Sequence, residues 1–142
     1  MCMVRDWPWF KARVPADQTE GSKGIVCSDA ETGEILAAMV AYNWTMNAVE
    51  LHFAMDNPVV FRHHFHWECF EYVFGTADRK KAYVQVASDN PKSMKFVRHL
   101  GFEEVAVLKD AYADGVDNHI LELKRENCRY WSAPEIKRQA NG

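Results

Sequence analysis

Residues 49 to 87 place the tightest constraint on the fold. Val49, Leu51, Phe53 and Met55 alternate with Glu50, His52, Ala54 and Asp56, the period-two pattern of a strand with one buried face. Asn57-Pro58 stops that strand, and Phe61, Phe65, Cys69, Phe70 and Val73 then recur at helical spacing until Gly75. Ala82 to Ala87 follows as a short apolar run with Gln85 inside it. Strand, helix and strand at this spacing predict a parallel crossover, in which the segment before Asn57 lies beside the segment after Lys81.

The flanking residues extend this unit. Lys23 to Asp29 and Glu34 to Trp44 are apolar, β-branched-rich runs joined by Ala30-Glu31-Thr32-Gly33, a connection of hairpin length. After a turn at Thr45-Met46-Asn47 the meander reaches the third strand. Downstream, Glu103 to Lys109 and His119 to Lys124 read as a closing antiparallel pair around Asp114-Gly115, with a loop longer than two residues. The opening, residues 1–22, mixes Trp7, Pro8, Trp9 and Phe10 with turn-prone residues and predicts an extended arm whose aromatics lie on the domain, on a partner or against a second copy of the chain. The end turns polar from Cys128 onward, with 132–142 as a polar tail, and predicts a frayed terminus.

At 142 residues, with 48% apolar and 13% aromatic residues, the chain predicts one α/β domain with a mixed sheet and a helix on each face. A net charge of -3 offers no basic field for nucleic acid or for a membrane surface. The longest apolar run, Ile35 to Tyr42, is far shorter than the ~20 residues of a spanning helix. Nothing at the start reads as a secretion signal, so a cytoplasmic setting is expected, with Cys2, Cys27, Cys69 and Cys128 reduced.

The best-bounded helix follows the crossover. Asn90 can cap it, Pro91 suits its first position, and Gly101 suits the left-handed position past its end. The stretch NPKSMKFVRHLGF at 90 to 102, within the element order of the whole chain, resembles motif B of the Gcn5-related N-acetyltransferase (GNAT) superfamily. FEYVFG at 70 to 75 and ENCRYW at 126 to 131 are similar to short, RimJ/RimL-like acetyltransferases of bacteria and their phages. The resemblance implies a mostly antiparallel central sheet whose parallel pair splays at an acetyl-coenzyme A site. The implied reaction is acetyl transfer to a primary amine: a protein amino terminus, a lysine or a small amine.

By the same resemblance, backbone donors near Ala54, Met55 and Asp56 meet the thioester, and Asn90, Ser93 and Phe96 face the cofactor. The family's pyrophosphate loop carries glycines, whereas Val59 to Phe65 has none. The anion-binding role therefore falls to the backbone around Arg62, His63 and His64, with Arg62 adding a paired contact to phosphate. The Tyr that donates a proton to the leaving thiolate in many members is replaced by Val97, which leaves a water ordered by Asn90 and Ser93, or Tyr112 from the closing hairpin.

Amine acetylation also needs a base. Glu50 and His52 lie on the face of their strand turned away from the buried side, and either can take the proton directly or through water, as readily as each can be an ordinary surface residue. His63, His64, His66 and Cys69 are good ligand types, but successive histidines diverge by about 100° on a helix, and no second pair completes a metal site. Two functions of different class fit these residues: an active acetyl-coenzyme A-dependent enzyme, and a GNAT-fold interaction protein without catalysis.

Overall fold

A computed structural model describes residues 3–14, 19 and 21–133. Its elements are α1 (Met3–Lys11), β1 (Lys23–Ser28), β2 (Ile35–Tyr42), β3 (Ala48–Met55), a 3-10 turn (Pro58–Phe61), α2 (Phe65–Phe70), which continues as a π-helix over Glu71–Thr76, β4 (Lys81–Ala87), α3 (Pro91–Leu100), β5 (Glu103–Ala113) and β6 (Val116–Lys124). The six strands form one sheet in the order β1-β2-β3-β4-β6-β5. Every neighbouring pair is antiparallel except β3 and β4, which are parallel, as the crossover predicts. None of the described helices is long and apolar enough to cross a membrane.

Alternation along the strands sorts the two faces. Val49, Leu51, Ala82, Val84, Val86, Leu121 and Leu123 point into the main core, which α2 closes with Phe65, Cys69, Phe70 and Val73, and α3 with Val97 and Leu100. Helix α3 starts and stops where its sequence says. The Asn90 side chain accepts from the Ser93 amide (3.1 Å), and Gly101 sits at φ 107°, which lets Phe102 N reach back to Val97 O (3.1 Å).

The opposite face carries a smaller cluster of Phe10, Val14, Ala38, Val40 and Ala54, and here the expected extended arm is corrected. Residues Met3–Lys11 are helical, and Asp6, Phe10 and Val14, one helical turn apart, are the ones that turn inward. Pro8 and the flanking tryptophans obscure that spacing, since proline inside a helix removes one hydrogen bond. Burying Phe10 completely outweighs that loss.

Two further expectations change. Ala113 pairs with Val116 across Asp114-Gly115, so the closing hairpin has a two-residue turn; the irregularity lies within the strand, at Asp110, whose φ is 54° and whose amide is held by the Asp117 carboxylate (3.0 Å). Cys128 is buried, and Tyr130 and Trp131 pack on the main core, Tyr130 stacking on Phe70 at 6.0 Å. The polar tail therefore does not begin at Cys128; residues 134–142 lie outside the described residues.

Candidate active site

Strands β3 and β4 pair only over Ala48↔Lys81, Val49↔Ala82 and Glu50↔Tyr83. Beyond that point β3 stays on β2 as far as Ala37↔Met55, and β4 stays on β6 as far as Ala87↔Asn118. Each strand is thus held from outside while the two part company. Backbone alternation decides what edges the gap. Asp56 N donates to Leu36 O (2.9 Å), so Asp56 and its even-numbered neighbours serve β2, and Phe53 and Met55 turn their amides and carbonyls toward β4. On the other wall Lys81 N donates to Asn47 O (3.0 Å), which puts the backbone of Tyr83 and Gln85 toward β3.

The gap opens into a cleft of about 480 Å³. Of the residues expected to serve chemistry, Glu50, His52, Asn90, Ser93 and Tyr112 all line it, as do Ala54, Met55, Asp56 and Phe96 from the expected cofactor set. Arg62, His63 and His64 do not. Their amides donate to the carbonyls of Val59 (3.0 Å), Val60 (3.2 Å) and Phe61 (3.3 Å), and His64 sits at φ 61° just before α2. The first α2 bond, Glu68 N to His64 O (3.2 Å), leaves the amides of Phe65, His66 and Trp67 at the helix front.

Glu50 differs from its expected solvent-facing state. It is 2% exposed, because Tyr42, Asn43, His52 and Gln85 close around it. Its Oε2 accepts from the Tyr42 hydroxyl (2.6 Å) and meets His52 Nε2 at 3.2 Å; its Oε1 accepts from Asn43 Nδ2 (3.0 Å) and Gln85 Nε2 (3.2 Å). Burial alone would raise this carboxyl, but the hydrogen bonds from His52, Tyr42 and Asn43 outweigh it and hold it below the usual glutamate range. Glu50 is therefore an anion at neutral pH.

His52 is half-buried, stacks on Tyr42 with ring centroids 4.9 Å apart, and its Nε2 also touches the Tyr42 hydroxyl. Burial and the neighbouring carboxylate push the Tyr42 phenol far above its ordinary value, so it stays protonated and its one proton goes to Glu50. Tyr42, Asn43 and Gln85 were not singled out by the sequence reading. Their signal was positional: Tyr42 lies in register with Glu50, and Gln85 is the polar residue inside an apolar strand.

The two halves of this face are finished differently. Helix α1 roofs β2 and β3, and Arg13 just past its end clamps Asp56 with bonds of 2.6 and 2.8 Å. Over β4, β6 and β5 no described helix lies, and Tyr112 stands 49% exposed at the rim. This face of the cleft is accordingly open on one flank and walled on the other.

In three dimensions the chain is similar to GNAT acetyltransferases. A point mutant of the spermidine N-acetyltransferase SpeG from Vibrio cholerae matches with a TM-score of 0.67 at 16% identity, over 81% of this chain and 70% of that one. The spermidine/spermine N-acetyltransferase SpeG from Vibrio cholerae in complex with manganese ions gives 0.64 at 16%, over 77% and 68%. A GNAT-family protein from Desulfovibrio desulfuricans gives 0.64 at 16%, over 74% and 70%. No protein-family model and no curated protein matches the sequence. The chain has the GNAT fold.

Proposed function

We propose that the protein is an N-acetyltransferase that moves the acetyl group of acetyl-coenzyme A to a primary amine. The observation that carries this reading is the parting of β3 from β4 after Glu50 and Tyr83, beside the Asn90-capped start of α3. A gap edged by the backbone of Phe53, Met55 and Gln85 suits an arm with amide groups of its own, which replaces the missing ladder partner. Bound acetyl-coenzyme A supplies the activated acyl group. Asn90, Ser93 and Phe96 would face it from α3. The phosphate role moves from the engaged amides of residues 62–64 to those of Phe65, His66 and Trp67, aided by the exposed Arg62 guanidinium.

The chain's own residues divide the remaining work. His52 accepts the proton from the acceptor amine, and the Glu50 anion 3.2 Å away stabilises the imidazolium that results. Tyr42 fixes both by donating to Glu50. Tyr112, or a water held by Asn90 and Ser93, returns a proton to the thiol side. A protein terminus, a lysine or a small polyamine can reach the open flank, and we place the reaction in the cytoplasm, among the short RimJ/RimL-like enzymes that residues 70 to 75 and 126 to 131 resemble.

Calorimetry with acetyl-coenzyme A, followed by a screen of amines and peptides with a free-thiol readout, tests this reading. Saturable binding and amine-dependent thiol release are expected. The engaged amides of Arg62, His63 and His64 favour one rival, a GNAT-fold interaction protein without catalysis. Absence of binding at millimolar cofactor would remove the acetyltransferase reading.

A further inference from the structure

A carboxylate has acceptors only, so each neighbour that touches Glu50 must turn a donor toward it. That requirement decides the orientation of the Gln85 amide: its nitrogen faces Glu50 Oε1 (3.2 Å) and its oxygen faces away. The oxygen then accepts from Asn118 Nδ2 on β6 (2.7 Å), which fixes the Asn118 amide in turn. Asn118 is 8% exposed, and its Oδ1 is buried with no partner among the described residues. An asparagine kept for stability alone would have both ends satisfied, because a lone buried acceptor costs free energy. The arrangement secures the donor end at the expense of the other.

The remaining groups around Glu50 are Tyr42 from β2, Asn43 just beyond it, His52 on the same strand, and Tyr83 on β4, whose phenol is raised by burial and by Glu50. Further along the same face Lys81 and Glu122 pair with each other at 2.7 Å. Among these groups only Gln85 links Glu50 to β6, the strand that holds β4 from outside.

We propose that Gln85 and Asn118 are positioning residues for the Glu50–His52 pair, forming a one-way hydrogen-bond relay across β6, β4 and β3 that fixes Glu50 with its second oxygen toward His52. The inference rests on the reading above for the use of that pair in catalysis. The relay itself belongs to the protein without ligands.

Selective carboxyl labelling of glutamate and a ¹³C NMR titration of the cofactor-free protein test it. Gln85→Met removes a donor from the anion, and the Glu50 midpoint should rise by about one pH unit; Asn118→Leu frees the Gln85 amide to turn, and a smaller rise is expected. Ile120→Ala, a packing change beside Gln85 in the register, should lower Tm without moving the midpoint. Should Asn118→Leu fail to fold, Asn118→Ser takes its place. A midpoint unchanged in either relay variant, or moved as far by Ile120→Ala, overturns the proposal.

If the wild-type protein transfers no acetyl group, the acetyltransferase reading falls, and the NMR midpoints still decide the relay.

Discussion

The two ends of the β3–β4 pair are built from the same two strands and behave oppositely. At the zipped end Val49 and Ala82 are fully buried and pair in the ladder. A few residues on, Phe53, Met55 and Gln85 give up that pairing, although β2 and β6 still hold both strands from outside. Lost ladder bonds are costly in a sheet interior unless something else satisfies the backbone. The difference teaches that the zipped end serves stability and that the split end leaves backbone groups open for the ligand proposed above. Glu50 and His52 stand at the junction.

The largest effect expected from breaking this division is catalytic. His52→Ala should lower kcat/KM by roughly 10²-fold or more, the usual contribution of a positioned base, with acetyl-coenzyme A affinity unchanged by calorimetry. Activity within a few-fold of wild type would move the base elsewhere. Next come paired substitutions at the two ends. Val49→Ala at the zipped end should cost about 2 kcal/mol of unfolding free energy through lost burial and a cavity. Ser93→Trp, beside the split, should leave stability nearly intact and abolish cofactor binding. Equal losses of stability at both ends would erase the distinction.

Asn90→Ala falls between them. The side chain holds the Ser93 amide at the helix start and lines the cleft, so about 1 kcal/mol of stability should go with the cap, and cofactor binding should weaken as well. Thermal unfolding and calorimetry on one variant measure both. A loss of stability alone would make Asn90 a cap and nothing more.

How far the sequence could be read follows from how local each signal is. Helix α3 was legible to the residue because its determinants, Asn90, Pro91 and Gly101, act on their own turn. The parallel pair was legible because period-two and helical spacing alternate along the chain. Helix α1 was hidden, since Phe10 is helical by virtue of the sheet beneath it and Pro8 argues locally against it. The site divides likewise. His52 was placed by alternation along its own strand, and Asn90 and Ser93 by the resemblance of their helix; all three line the cleft. The burial of Glu50 was not, because it depends on Tyr42 from β2 and Gln85 from β4, neighbours that no single stretch of sequence brings together. The engaged amides of residues 62–64 depend on a 3-10 turn that the helical spacing of Phe61 and Phe65 does not announce.

The smallest effect concerns the clamp that ties α1 to the split end. Arg13 holds Asp56 at 2.6 Å and lies over the Trp9 ring at 3.9 Å, but both partners are partly exposed, so the pair contributes at most about 1 kcal/mol and less at high salt. The Arg13 hydrogen bond draws the Asp56 carboxyl below its ordinary range. A carboxyl lowered on folding adds stability above its unfolded pKa and loses it as pH falls through the folded one. Arg13→Ala should therefore destabilise the protein slightly at pH 7, and the gap from wild type should close as pH falls below the normal aspartate range. Glu50 keeps its donors in both proteins and cancels from that difference. If the gap persists in acid, Arg13 acts through Trp9, whose ring it covers and whose carbonyl accepts from its Nη1 at 2.8 Å, and not through Asp56.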